Sequence, residues 1–304
     1  MERDVIMAKK KAHPAKKISA TIVAIGVFLF IAVGSTLANM YPEDEPYSNQ
    51  QAINKAYDDI IAKLPFDFDK TNDVPYTDKP TQKDPNKTTP KPSLADEEVE
   101  KQARNIHQQL PDVPKDEAYV EINDNIPMFS NADLEDVGEW EEYSPLDDKN
   151  RVGEANAMLY RDMMPSEVDE RESLSHVKPT GWQQKRYTGL VDGSWLYNRS
   201  HLIGYQLTGQ QDNVLNLMTG TRFFNVEGML PFENYVANYI ENHDVHVRYR
   251  ITPLFLKNEK LARGVFMEGY SIEDDGKLAF HIFVPNKQPD IDIDYQDGSS
   301  KKAS

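Results

Sequence analysis

The sequence predicts an α+β fold, because strand and helix patterns occur together without the regular strand–helix alternation of parallel-sheet proteins. Apolar and polar residues alternate from Val245 to Ile251, which is typical of a strand buried on one face. Two further apolar runs, Val265 to Ile272 and Leu278 to Val284, flank the turn signal Asp274-Asp275-Gly276 and predict a hairpin. We therefore expect a central antiparallel sheet with flanking helices.

Three more elements complete this expectation. Tyr119 to Ile122 reads as a short opening strand, and Trp195 to Asn198 reads as a strand that follows the turn Asp192-Gly193. Pro231 to Asn242 places its apolar residues on one face of a helix, with proline in the first turn. These elements fall into one folded region rather than into repeats.

The first 40 residues predict either a membrane anchor or a cleaved signal peptide. Several lysines precede an apolar run from Ile18 to Ala38. A helix needs about 20 apolar residues to span a bilayer, and basic residues before it keep the N-terminus inside. The small residues near Thr36-Leu37-Ala38 offer a signal-peptidase site, so both interpretations of residues 1–40 stay open.

Residues 41–117 predict a disordered linker. They are rich in proline, lysine, threonine and aspartate, and such a composition buries too little apolar surface to offset the entropy of ordering. Two stretches in it, 50–64 and 94–110, have the pattern of transient helices. We assign residues 118–298 to the folded domain and residues 299–304 to a polar tail.

Composition limits the chemistry that is available. The chain has no cysteine, which excludes disulfides, thiolate metal sites and a cysteine nucleophile. Its formal net charge of −16 opposes a polyanionic partner, unless positive charge is concentrated locally. Basic residues do gather in one region, namely Arg171, Lys178, Lys185, Arg186 and Arg199.

That basic region leads into the motif Asn198-Arg199-Ser200-His201, with Asn225 and Glu233 downstream. Imidazole titrates near neutral pH, whereas guanidinium stays charged and binds phosphate oxygens, so the pair suits phosphodiester chemistry. From about Lys178 to Val284 the chain resembles the DNA/RNA non-specific endonucleases, the ββα-metal or His-Me finger nucleases. Within that family it is most similar to the DNA-entry nucleases of Gram-positive bacteria.

The resemblance implies a ββα-metal fold and Mg²⁺-dependent hydrolysis of DNA or RNA without sequence specificity, with Mn²⁺ as a substitute ion. It assigns His201 as general base, Asn225 as metal ligand and Glu233 as the carboxylate that orients metal-bound water. The family's Asp-Arg-Gly-His stands here as Asn198-Arg199-Ser200-His201, so two of its four positions differ. The two changed residues are those expected to shape the turn.

Further residues take roles through the same resemblance. Arg171 matches an upstream arginine that stabilises transition-state charge, although Arg151 and Arg161 compete for that role. Arg199 either clamps phosphate or braces the loop. Lys185 and Arg186 are expected to bind substrate, and Asn198 and Asn216 to support the site from behind.

Two alternatives from other classes stay open. The altered motif and the acidic charge also suit a membrane-tethered, catalytically inactive DNA-binding protein on the same fold. An extracellular adhesion module, in which His201 is structural, is the third possibility. We expect an enzyme on the outer face of the membrane or secreted from the cell; the oligomeric state is not predicted.

Overall fold

The computed structural model describes residues 96–135, 138–166 and 173–304. The predicted anchor or signal over residues 1–40, most of the predicted linker and Arg171 lie outside the described residues. In the part of the chain that is described, no helix combines the length and the apolar character needed to cross a bilayer.

A six-stranded sheet forms the centre of the fold. Its strands are β1 (Val120–Glu121), β2 (Trp140–Tyr143), β3 (Ala155–Leu159), β6 (Val247–Leu254), β7 (Gly264–Ser271) and β8 (Ala279–Pro285). They lie in the order β1-β8-β7-β6-β3-β2, and every neighbouring pair is antiparallel. The predicted central antiparallel sheet is confirmed.

The predicted hairpin is the connection between β7 and β8. Asp275 and Gly276 adopt positive φ angles of 56° and 75°. Aspartate and glycine tolerate this left-handed region better than other residues, which is why the pair marks the turn in the sequence.

Two smaller strand pairs lie outside the sheet: β4 (Tyr197–His201) with β5 (Leu217–Thr221), and β9 (Ile291–Ile293) with β10 (Ser300–Lys302). Residues 299–304, which the sequence assigns to a polar tail, include β10, which pairs Ser300 with Ile293. Its serine and lysines carry no strand signal alone, because the pairing comes from an edge supplied by β9.

The helices are α1 (Asp96–Ile106), α2 (Tyr205–Thr208) and α3 (Leu230–His243). A π-helix, Phe224–Met229, runs directly into α3. Three short 3₁₀ turns lie at Asn123–Asn125, Ala132–Leu134 and Arg161–Met163. The helix predicted over Pro231 to Asn242 is confirmed, with one added residue at each end.

The main hydrophobic core lies between α3 and one face of the sheet. Val236 and Ile240 of α3 pack with Tyr249, Met267 and Ile282, and all five side chains are completely buried. Alternate residues of a strand point to opposite faces of the sheet. The residues on one face form this core, and Arg248, Arg250 and Glu268 therefore lie on the other face.

Residues 96–135 cover that second, polar face of the sheet. Helix α1 buries Val99 and Ala103 against Met128, and Ile106 packs into a cluster with Phe266. Helix α1, which lies in the stretch that the sequence assigns to the linker, therefore packs against the rest of the described fold. Only every third or fourth residue of α1 is apolar, so the helix gains its stability from packing on the sheet rather than from its own sequence.

Candidate active site

The β4–β5 hairpin carries the predicted general base. His201 is the last residue of β4, is paired with Leu217 of β5 and is half-buried. The next residue, Leu202, donates its N–H to the carbonyl of Asn216 at 2.8 Å. Because the π-helix and α3 follow β5, the hairpin and helix together form a ββα unit.

One hydrogen bond determines which nitrogen of the neutral His201 ring carries the proton. Its Nε2 lies 2.8 Å from the main-chain carbonyl of Gln211. A carbonyl only accepts, so Nε2 must carry the proton, and in the neutral ring Nδ1 then holds the lone pair. This tautomer suits a general base that acts through Nδ1.

Asn216 holds the chain that leaves His201. It is completely buried, and its side-chain amide bonds to both the N–H and the carbonyl of Ile203. This placement suits the supporting role predicted for Asn216, because its contacts are with backbone two residues beyond the imidazole.

Asn225 lies on the first turn of the π-helix and is half-buried. The Leu230 N–H donates to the Asn225 carbonyl, and no side-chain cap bond occurs at this helix start. The capping role weighed for Asn225 is therefore not seen. Among the described residues no group is hydrogen-bonded to its side-chain amide, so the amide oxygen is available to a hard cation.

Glu233 is buried in α3, with 9% of its surface exposed. Pro231 does not interrupt the helix, because it lies in the first turn of α3, where its missing N–H costs little. The Glu233 carboxyl carbon lies 2.8 Å from the position that a Cβ would take at Gly204. Gly204 is three residues after His201, so the fold brings this carboxylate to the segment that carries the imidazole.

Arg199 is engaged with the protein itself. Its Nε donates to the Val177 carbonyl at 2.6 Å and its Nη2 to the Ser175 carbonyl at 3.1 Å. Its guanidinium carbon also lies 4.2 Å from the centre of the Trp182 ring. These contacts support the brace, rather than the phosphate clamp, that the sequence left open.

Lys185 and Arg186 lie at the other end of β4 from His201. The Lys185 carbonyl accepts from the Leu196 N–H, and five residues of extended chain from there to His201 span roughly 16 Å. Lys185 donates to the Ser300 carbonyl at 2.9 Å, and Arg186 stacks on Trp195. A role for this pair therefore concerns substrate beyond the scissile bond.

The two arginines that competed with Arg171 have structural contacts. Arg151 pairs with Asp147 at 2.7 Å and lies over the Phe255 ring. Arg161 donates to the Glu241 carbonyl at 2.6 Å. Arg171 itself lies outside the described residues, so its role stays a prediction.

The two altered motif positions point away from the imidazole side of β4. Asn198 and Ser200 are buried, and the Asn198 Nδ2 and Ser200 Oγ have no hydrogen-bond partner within the described residues. Gly220 faces Asn198 across the hairpin, and a Cβ there would lie 2.3 Å from Ser200 Oγ. Both side chains therefore lie inside the hairpin, and their predicted role in shaping it stays a prediction.

Sequence reasoning missed two contributors to the site. The Gln211 carbonyl that orients His201 leaves no sequence signal, because every residue has a carbonyl. Gly204 follows the motif visibly, but its contact with Glu233 depends on a helix some thirty residues later.

A second polar cluster lies on the opposite face of the sheet. Glu268 accepts from the Arg250 Nε and the Met128 N–H, both at 2.7 Å, and the His107 and His281 Nε2 atoms are 3.1 Å apart. Ligand atoms of His107, Glu268 and His281 all lie within 4.8 Å of one another. By distance alone, this group could hold a metal ion.

Its charge fits a metal poorly. Burial would raise the pKa of Glu268, but the charge and the hydrogen bond of the Arg250 guanidinium oppose it, and that pKa lies well below its usual range. Burial lowers the pKa of His107 to about 4. The carboxylate is already neutralised by Arg250, so a divalent cation would leave buried charge uncompensated. The cluster is better explained as an ion pair with two neutral histidines.

Comparison with known proteins agrees with this geometry. Residues 131–272 match the family model described as DNA/RNA non-specific endonuclease, a range that includes His201, Asn225 and Glu233. Two crystal structures of NucA from Streptococcus agalactiae, one with a magnesium ion bound and one with no metal, are similar in fold. Their TM-scores are 0.57 and 0.56, and in both cases the identity is 24% over 68% of this chain and 96% of the other.

Proposed function

We propose that this chain hydrolyses phosphodiester bonds in DNA or RNA without sequence specificity, using Mg²⁺, because residues 131–272 match the family model described as DNA/RNA non-specific endonuclease. The proposal rests chiefly on the His201 ring, whose Nε2 is tied to the Gln211 carbonyl. With Nε2 as the donor in that bond, Nδ1 is the ring nitrogen that would take a proton from the attacking water. Contacts with the phosphate backbone rather than with base edges account for the lack of sequence preference.

Asn225 would bind the metal ion, and Glu233 would bind the water molecules around it. Asn225 offers a half-buried amide oxygen, and Mg²⁺ prefers oxygen ligands while keeping several of its waters. Glu233 would accept hydrogen bonds from those waters and so orient them. When bound, the ion would supply positive charge beside the leaving 3′ oxygen. Support comes from the magnesium-bound state of the similar NucA, and Mn²⁺ would substitute because it accepts the same donors.

The basic residues divide into near and distant groups. Arg199 would keep the loop of Ser175 and Val177 against the hairpin, and Arg171 would stabilise charge in the transition state. Lys185 and Arg186 would contact phosphates further along the strand, given the length of β4 between them and His201.

The location is proposed from the N-terminal sequence. A lysine-rich start and an apolar run to Ala38 favour export, with the catalytic domain tethered outside the membrane or released from it. Extracellular nucleic acid is then the substrate.

A catalytically inactive, membrane-tethered DNA-binding protein is the second candidate. The observation in its favour is the altered motif, because Asn198 and Ser200 each have a buried polar atom with no hydrogen-bond partner among the residues that the structure describes. A pure binding protein has no need, however, for a histidine held in the tautomer of a base, with a buried carboxylate against the segment that follows it.

Plasmid cleavage tests the choice. Purified wild-type protein should degrade plasmid with Mg²⁺ and not with EDTA, and His201→Ala should lose cleavage while keeping its fold and DNA binding. His243→Ala, which changes an exposed histidine at the end of α3, is the matched control and should retain full activity. A wild type that binds but never cleaves across several divalent ions would favour the binding protein, and the double reversion Asn198→Asp with Ser200→Gly would then be the next variant.

A further inference from the structure

Gly204 is a glycine whose backbone does not require one. Its φ of −57° and ψ of 144° lie in the extended region that any L-residue adopts. The usual reason for glycine in a turn, a left-handed backbone, is therefore absent. The space beside its Cα must explain it.

That space is filled by the Glu233 carboxylate. A Cβ at Gly204 would lie 2.8 Å from the carboxyl carbon, 2.8 Å from Oε2 and 3.1 Å from Oε1. Carbon atoms in contact are normally about 3.5–4.0 Å apart, so even alanine would force a displacement of roughly 0.7 Å or more. All three atoms of the carboxylate would have to move together.

We infer that Gly204 is a positioning residue, whose missing side chain fixes where the Glu233 carboxylate lies beside the His201 segment. The inference rests on the proposed function, because it treats Glu233 as the group that orients water in the site. Gly204 would thus contribute to the site although it has no functional side chain.

Both partners are held, so the clash cannot be relieved by moving the loop. Asn216 fixes Ile203 through two hydrogen bonds, and the Gly204 carbonyl accepts from the Leu207 N–H at 2.9 Å. Glu233 is buried in α3, between the core residues Phe232 and Val236. The end of the Glu233 side chain is the part that must yield.

Activity should therefore suffer more than stability. Gly204→Ala is expected to lower kcat on a defined oligonucleotide by about 10- to 100-fold, because displacements near 1 Å in a reacting site cost about that much. It should also raise the Mg²⁺ concentration needed for half-maximal rate. Gly153→Ala is the matched control, since its Cβ would lie 2.6 Å from the Ser144 Cβ in the β2–β3 connection, and it should leave kcat unchanged.

Two double variants test the contact itself. In Gly204→Ala with Glu233→Asp, the shorter side chain withdraws the carboxylate, so the loss of kcat should be smaller than the product of the two single losses. In Gly204→Ala with Glu233→Ala, any lowering of Tm caused by the added methyl should disappear, because the space is then empty. The second readout does not depend on activity.

The outcomes separate the two proposals. Multiplicative losses of kcat, a Tm effect that persists without the carboxylate, or a fully active Gly204→Ala would overturn the positioning role. An inactive wild type would instead contradict the proposed nuclease function, and the Tm comparison would still decide whether Gly204 accommodates Glu233.

Discussion

The side-chain amide of Asn216 and the backbone of Ile203 form a ring that is closed by two hydrogen bonds. The Ile203 N–H donates to Asn216 Oδ1 at 2.9 Å, and Asn216 Nδ2 donates to the Ile203 carbonyl at 3.0 Å. Both residues are completely buried. The ring ties the residue before β5 to the chain between His201 and Gly204, the two residues on which the proposed site depends.

Asn216→Ala should therefore weaken both stability and catalysis. It leaves a buried N–H and a buried carbonyl without partners, which costs about 1–3 kcal/mol each, so unfolding free energy should fall by roughly 2–6 kcal/mol. Loss of the ring also frees the His201 segment, and kcat should fall about 10-fold or more. Urea unfolding and oligonucleotide cleavage measure the two effects.

Asn242→Ala is the control for that change, because Asn242 is exposed and donates to the Asn238 carbonyl within its own helix. Its stability should change by less than about 0.5 kcal/mol. If Asn216→Ala kept wild-type kcat after losing stability, Asn216 would support the fold but not the site.

Substitution of Asn225 tests the cation. Asn225→Ala removes the proposed amide ligand and should lower activity by orders of magnitude or shift the Mg²⁺ titration to much higher concentration. Asn225→Asp keeps an oxygen donor of about the same size, so cation binding should persist. Identical Mg²⁺ curves for wild type and the alanine variant would remove Asn225 from the metal site.

Arg199 allows a brace to be distinguished from a phosphate clamp. Lysine keeps the charge but cannot make the two carbonyl bonds and the stacking on Trp182 together. If Arg199 braces the loop, Arg199→Lys should lower stability by about 1–2 kcal/mol and affect cleavage of short and long substrates equally. A clamp predicts instead an almost unchanged Tm with a higher KM and a weaker salt dependence of DNA binding.

The fold was predictable where the local pattern is strong. The alternation in β6, the turn between β7 and β8 and the apolar face of α3 each reflect one element packing on one core, and each is confirmed. Helix α1 and strand β10 lie in stretches that the sequence assigns to the linker and the tail, because their stability comes from surfaces formed by distant residues. Composition alone cannot report such surfaces.

The residues of the proposed site were likewise only partly predictable from the sequence. The motif around His201 is visible in the sequence because four consecutive residues carry it, and Asn225 and Glu233 follow at a recognisable spacing. The Gln211 carbonyl and the space at Gly204 are not visible, since both arise from the way separate segments meet. What the sequence identifies is the chemistry, whereas its orientation comes from the fold.

The last prediction concerns acid stability and the histidine at the end of α1. His107 is buried and its Nε2 contacts His281, and burial lowers its pKa to about 4. In the unfolded chain histidine titrates near about 6.5, so between these values the unfolded state binds a proton that the native state does not. Stability from this group is thus complete above about pH 6.5 and is lost as the pH falls towards 4.

His107→Gln should remove that component, because glutamine does not titrate but can still donate to His281. Urea unfolding at pH 7, 5.5 and 4.5 should show the wild type losing on the order of 2–3 kcal/mol more than the variant over this range. The exposed His243→Gln serves as control and should follow the wild type. Parallel pH profiles for wild type and His107→Gln would mean that His107 does not stay neutral in the native fold, and the ion-pair account of the cluster would then lose its basis.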